Sequence, residues 1–134
     1  MPKHALAAGL CLLAANLFAA GVFADDCPLV GTWKSDKGKT IADVYRSKLP
    51  ATAKTALTKM LGKMVVEYPD CTQASYTFEG QTTTSQLELV SYSGNTVILK
   101  DPTNGEESNI QLEGDCYSVV MAPLAITEYF CRVN

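Results

Sequence analysis

The side chains of this 134-residue chain that could do chemistry are carboxylates and cysteines. Adjacent carboxylates occur at Asp25-Asp26 and at Glu106-Glu107. Neighbouring residues of a strand point to opposite faces, so neither pair is expected to act on one bond. Glu128 and Arg132 share a face of a predicted strand, together with Phe130. Opposite charges placed in this way more often neutralise each other, which is a structural role.

Histidine is the second consideration, because the chain has only one, His4, in its apolar N-terminal segment. Without it the rest of the chain has no Ser-His or Cys-His nucleophile pair, no histidine metal ligand and no histidine pH switch. No phosphate-binding loop or nucleophile elbow occurs in the sequence either. We therefore expect a protein that is not an enzyme and that has no catalytic residues, no metal site and no cofactor.

Residues 1–24 have the pattern of a secretory signal peptide. Lys3 and His4 precede a long apolar run that ends in small residues at Ala24. A membrane anchor is the alternative, because the run could almost span a bilayer. The small-residue end and the lack of any further apolar run favour cleavage, which would also remove Cys11. We therefore predict a periplasmic or secreted protein with no membrane span after signal cleavage.

Residues 25–134 are the predicted mature protein, a single domain. Its 110 residues suffice for one hydrophobic core and are too few for two. With Lys3 removed, ten basic residues face fourteen acidic ones, a net charge of −4, and no basic run occurs. Nucleic acid and anionic membrane surfaces are therefore not expected partners. We expect a monomer.

A first short strand around 29–33 is followed by two predicted helices. Ile41, Val44 and Tyr45 share one face of the first helix, and Pro50 can open the second. The apolar residues of the second helix recur at three- and four-residue steps: Ala53, Ala56, Leu57, Met60, Leu61 and Met64. This stripe predicts a helix pair that packs on another part of the domain.

From Lys63 onward the apolar period becomes two, with turn residues every eight to twelve positions. Seven strands are predicted there: KMVVEY, TQASYTFE, TTTSQLELVSY, NTVILK, EESNIQLE, CYSVVM and ITEYFCRV. With the first strand they make about eight, in hairpin order. The predicted fold is mainly β, an antiparallel up-and-down β-barrel with a two-helix insert after strand 1. A barrel is favoured over a two-layer sandwich because only one face of the strands is strongly apolar.

Four cysteines remain after the predicted cleavage, and an even number in an exported domain predicts two disulfides. Centring the last hairpin on Pro123-Leu124 places Cys116 opposite Cys131. Cys27 and Cys71 then pair by elimination. The pairing Cys27–Cys131 with Cys71–Cys116 stays open, because the first and last strands of a closed barrel are neighbours.

The Gly31–Trp33 element, the helix pair after it and Arg132 in the last strand resemble the calycin superfamily. The G-x-W pattern is shared by lipocalins, and the helix pair is more similar to intracellular fatty-acid-binding proteins. The resemblance implies a barrel closed at one end by Trp33, with Arg132 stacked over the indole in a cation–π contact. The chain lacks the Arg-x-Tyr pair with which fatty-acid-binding proteins hold a carboxylate, and this argues against a fatty acid as the ligand.

The predicted function is that of an exported lipocalin-like protein that binds a small apolar or amphipathic ligand inside its barrel. The predicted ligand-binding residues are Tyr76, Phe78, Leu89, Ser108, Tyr117, Met121, Glu128 and Phe130. The alternative is an envelope protein-binding module, of inhibitor or immunity type, that has a filled barrel and uses its outer surface. Both remain open because an eight-stranded barrel can either fill with side chains or hold one small ligand.

Overall fold

The structure is a computed structural model that describes residues 27–121 and 124–134. The predicted signal peptide and Pro123 of the predicted last turn lie outside these residues. The described elements are β1 (Gly31–Ser35), α1 (Lys37–Arg46), α2 (Ala51–Met60), β2 (Val65–Asp70), β3 (Gln73–Phe78), β4 (Gln81–Gln86), β5 (Glu88–Ser93), β6 (Thr96–Lys100), β7 (Glu107–Glu113), β8 (Cys116–Met121) and β9 (Ile126–Arg132). None of the helices in this part of the chain is long and apolar enough to cross a membrane.

All the described strands belong to one antiparallel sheet in the order β4-β3-β2-β1-β9-β8-β7-β6-β5. The edge strands β4 and β5 are consecutive parts of one run, separated only by Leu87. Because every neighbouring pair is antiparallel, β4 and β5 run in the same direction. The run pairs first with β3 and then with β6, which curls the sheet into a nearly closed barrel. The predicted barrel with a two-helix insert is confirmed; the strand count is higher because one predicted strand divides at Leu87.

Helix α1 covers the part of β9 that extends beyond β1. The helix begins after Asp36, whose carboxylate accepts a hydrogen bond from a first-turn amide at 2.9 Å. The Thr40 hydroxyl accepts from the backbone N–H of Tyr129 at 3.0 Å, and the Asp43 carboxylate accepts from that of Thr127 at 2.7 Å. Two side chains of α1 therefore satisfy strand amides that would otherwise lie at an open edge.

The helix pair packs on the barrel through a narrower apolar stripe than the sequence predicts. Val44 is buried together with Leu61 and Ile126, and Ile41 packs against them. Tyr45, which the sequence places on the same helical face as Ile41 and Val44, is 61% exposed and lies outside this stripe. In the described part of the chain α1 packs mainly against β9 and α2, which leaves the neighbouring face of the helix to solvent.

Two disulfides fasten the ends of the barrel strands, Cys27–Cys71 and Cys116–Cys131. Cys116 and Cys131 are directly opposite in the β8–β9 ladder, as the centre of the hairpin predicts. The other disulfide joins the segment before β1 to the turn between β2 and β3. The favoured pairing is therefore confirmed over its alternative.

Candidate functional site

One end of the barrel interior is closed around Trp33, which is 1% exposed. Its indole N–H donates a hydrogen bond to the backbone carbonyl of Leu29 at 2.8 Å. The guanidinium carbon of Arg132 lies 4.2 Å from the centre of the Trp33 ring, so the predicted stacking contact is present. The two Nη atoms of Arg132 donate to the backbone carbonyls of Pro28 and Val30, each at 2.9 Å. The arginine thereby clamps the segment before β1 over the tryptophan.

The backbone conformation at position 31 explains why a glycine lies two residues before this tryptophan. The φ angle of Gly31 is +129°, a conformation that side chains disfavour. A Cβ atom at this position would lie 2.9 Å from Nη1 of Arg132. The glycine therefore leaves the space that the clamping guanidinium occupies.

Next to the closed end, the barrel contains a cavity of about 190 Å³. Five of the predicted ligand-binding residues line it: Tyr76, Ser108, Tyr117, Glu128 and Phe130. Tyr117 is stacked on Phe130 with 5.1 Å between ring centres and meets the edge of Trp33 at 4.8 Å. The cavity wall is therefore mainly aromatic and aliphatic, with a few polar atoms from a serine, a glutamate and tyrosines.

A second cavity, of about 120 Å³, lies between α2 and the barrel. The predicted residues Phe78 and Met121 line this cavity rather than the first one. Met64 and Glu128 line both cavities, so the two spaces are adjacent. Seven of the eight predicted ligand-binding residues thus lie around these two adjacent cavities.

Leu89 is the predicted ligand-binding residue that the structure does not bring to either cavity. It pairs with the buried Leu99 and so belongs to the inner face, yet it is 42% exposed. β5 is an edge strand, and its register shifts between Leu89 and Ser91. Among the described strands it therefore has no hydrogen-bonded neighbour on one side, and this leaves Leu89 partly open to solvent.

Three lining residues of β2 and the turn before it were not among the predicted ligand-binding residues: Met64, Val66 and Tyr68. Their spacing of two is the signal that could have found them. The Tyr68 hydroxyl lies 3.2 Å from the Tyr117 hydroxyl, and the two form a buried hydrogen bond. Burial raises the pKa of both phenols, so both stay neutral and each can offer or accept a hydrogen bond.

Glu128 is the acidic group inside this region. Its Oε1 accepts a hydrogen bond from the Ser35 hydroxyl at 3.0 Å, and that hydroxyl accepts from the Gly62 backbone N–H at 3.2 Å. Burial raises the pKa of Glu128, and the Ser35 hydrogen bond acts in the opposite direction. The predicted neutralisation by Arg132 is wrong, because the arginine is held over Trp33 and makes no ion pair with Glu128.

The described lining of the two cavities therefore offers one carboxylate, several hydroxyls and a large apolar wall. Among residues 27–121 and 124–134, no group of three or more His, Cys, Asp or Glu side chains is placed to hold a metal ion. Comparison with protein-family models, with curated proteins and with solved structures finds no significant match to this chain.

Proposed function

We propose that this protein is an exported, lipocalin-like binder of a small apolar or amphipathic molecule, held inside the barrel. The observation that carries the proposal is the interior cavity of about 190 Å³ beside Tyr117 and Phe130. Ligand sites are typically concave and apolar, with a few polar groups that fix orientation. Clefts for drug-sized ligands are about 300–1,000 Å³, so this cavity suits a smaller molecule.

The incomplete closure of the barrel along the β4–β5 run supports the proposal by offering a route to the cavity. In the described ladders β4 pairs with β3 and β5 pairs with β6, so each of these strands has one unpaired side. Leu87, at which the run changes partner, is part of the cavity wall. A ligand that enters beside the unpaired side of β4 or β5 would therefore not have to break ladder hydrogen bonds.

Export and the calycin resemblance support the proposal from the sequence side. The two disulfides are typical of proteins in an oxidising compartment, as the periplasm or the extracellular space would be. The stacked Trp33 and Arg132 occupy the positions that the resemblance implies for the closed end of a calycin barrel. The resemblance therefore favours a ligand in the space inside the barrel.

Native mass spectrometry of the non-reduced, periplasmically expressed protein tests the proposal. We expect extra mass that disappears on denaturation, or a Tm that rises with members of a panel of small alkyl and aryl compounds. Val119→Phe should abolish either signal, because Val119 lines the cavity and a larger side chain would fill it. Val120→Phe is the matched control, since Val120 is the next residue of β8 and is 59% exposed.

Binding that is unaffected by Val119→Phe would place the ligand elsewhere and overturn the proposal. The absence of both carried mass and any Tm change across the panel would also count against it. Retention of binding in the Val120→Phe protein excludes a general effect of added bulk on β8.

A second candidate function is that of an envelope protein-binding module acting through the outer surface. The observation that favours it is strand β5, an edge strand on which Leu89, Val90 and Tyr92 are all exposed. An apolar edge can pair with a strand of another protein. A photo-crosslinking residue at Tyr92 should then form a discrete adduct in the periplasm. The same residue at Tyr45, exposed on α1, should not form that adduct.

A further inference from the structure

The carboxylate of Glu128 is held so that one of its oxygens is available to a ligand. Oε1 is engaged by Ser35, whose own oxygen already accepts from Gly62. The Ser35 proton is therefore directed at Glu128, which fixes Oε1 as an acceptor. In the described part of the chain, no partner bonds Oε2, and no buried side-chain oxygen is left unsatisfied. Oε2 is therefore not sealed within protein but faces accessible space.

The described residues around Glu128 include no cation that could balance its charge. Among residues 27–121 and 124–134, no lysine or arginine lies in the wall of either cavity that Glu128 lines. Arg132, on the same face of β9, is committed to two backbone carbonyls and the indole of Trp33. A carboxylate in a largely apolar space is stabilised by a positively charged partner that also donates hydrogen bonds.

The remainder of the wall is also suited to a cation. Four aromatic residues line the larger of the two cavities: Tyr68, Tyr76, Tyr117 and Phe130. Aromatic faces attract organic ammonium groups, and the attraction strengthens when the site is desolvated. The aliphatic residues between them would contact an apolar body attached to that ammonium group.

We propose that the ligand of this cavity is a small organic amine, whose ammonium group pairs with Glu128 and whose apolar body lies against the aromatic wall. This inference rests on the proposed ligand-binding function. It specifies the charge of the ligand. Carboxylates are excluded, and neutral molecules of the same shape should bind with lower affinity than amines.

Three probes of matched shape test it: benzylamine, benzyl alcohol and benzoate, titrated calorimetrically into the full mature domain at pH 7. Benzylamine should bind about tenfold or more tightly than benzyl alcohol, since a charge-assisted hydrogen bond replaces a neutral one. Benzoate should bind most weakly because its charge repels that of Glu128. This comparison uses the wild-type protein and so does not depend on whether a variant folds.

Glu128→Gln then assigns the preference to one residue. The amide keeps the acceptor for Ser35 and removes the charge, so benzylamine affinity should fall about tenfold or more. Benzyl alcohol affinity should stay within about twofold. Glu113→Gln is the matched control, because it removes the same charge from an exposed position at the end of β7 and should leave benzylamine affinity unchanged.

The outcomes separate this inference from the proposed function. Equal affinity for benzylamine and benzyl alcohol, or an amine preference that survives Glu128→Gln, would overturn the amine assignment and leave ligand binding intact. A wild-type protein that binds none of the three probes, and that carries no mass on native spectrometry, would overturn both.

Discussion

Strand β9 places two charged residues on one inner face, and the protein treats them in opposite ways. Arg132, at the closed end, is held by two backbone carbonyls and stacks on an indole. Glu128, four residues earlier, has one hydroxyl partner from the described residues and faces cavities. Phe130 lies between them, buried against Tyr117. The charge of Arg132 therefore stabilises the closed end of the barrel, whereas the charge of Glu128 remains available for binding.

The largest expected effect on the closed end comes from Trp33→Ala. Truncation removes the ring that packs against Tyr117 and Arg132 and leaves a large void. We expect a loss of roughly 3–5 kcal/mol in the free energy of unfolding, measured by urea denaturation. Tyr45→Ala, at an exposed aromatic position, should cost far less. An unchanged unfolding midpoint in Trp33→Ala would remove the interpretation of the tryptophan as a structural plug.

A smaller loss of stability is expected from Gly31→Ala. This variant tests the contact of Arg132 with the segment before β1 rather than the packing of the Trp33 ring. The added Cβ would combine an unfavourable φ with a 2.9 Å approach to Arg132, for a cost of about 1–3 kcal/mol. Gly94→Ala is the control, because Gly94 also has positive φ, at +61°, but nothing within 4 Å of a new Cβ. Only Gly31→Ala should also change the fluorescence of the single tryptophan. Equal losses in the two variants would show that the close approach to Arg132 contributes nothing.

The smallest expected effect concerns Glu128 and the pH dependence of stability. Its folded-state pKa is raised by burial, so protonation favours the folded state. This contribution is fully present below the ordinary glutamate pKa of about 4.3 and is lost as pH rises through the raised pKa.

Thermal denaturation of the ligand-free protein at several pH values measures this contribution. Glu128→Gln should have a slightly higher Tm than wild type at pH 7, and the difference should shrink as the pH falls toward about 4. Glu113→Gln, which changes an exposed group, provides the reference. A Glu128→Gln protein that is less stable than wild type at pH 7 would mean that the ionised carboxylate stabilises the fold.

The barrel and its disulfides were predictable because they depend on local periods and on hairpin geometry. Alternation in β6 to β9 identifies the inner face, and the centre of one hairpin determines the Cys116–Cys131 pairing. The division of one strand at Leu87 was not predictable, because it arises from how the sheet closes. A run that continues in one direction has no turn residue to mark the change of partner.

The residues that line the candidate site could be predicted from the sequence, but the partner of its charged group could not. Periodicity along single strands brings Tyr76, Tyr117 and Phe130 inward, and each lines the cavity. The partner of Glu128 is Ser35, 93 residues away, and no sequence pattern links the two. The sequence-based prediction chose Arg132 because it is the nearest opposite charge on the strand. The sequence does not reveal that this guanidinium is already hydrogen-bonded to the Val30 carbonyl.

The position of β1 between β2 and β9 has a consequence for folding kinetics. The strand that carries Trp33 gains its second neighbour only from β9, and Arg132 reaches back 102 residues to Val30. Contacts of such sequence separation carry a large loop-closure cost and slow the rate-limiting step of folding. Until β9 docks, β1 presents an open edge and an uncovered indole. An intermediate in this state would expose an unpaired strand edge and apolar surface, the two features that make folding intermediates prone to aggregate.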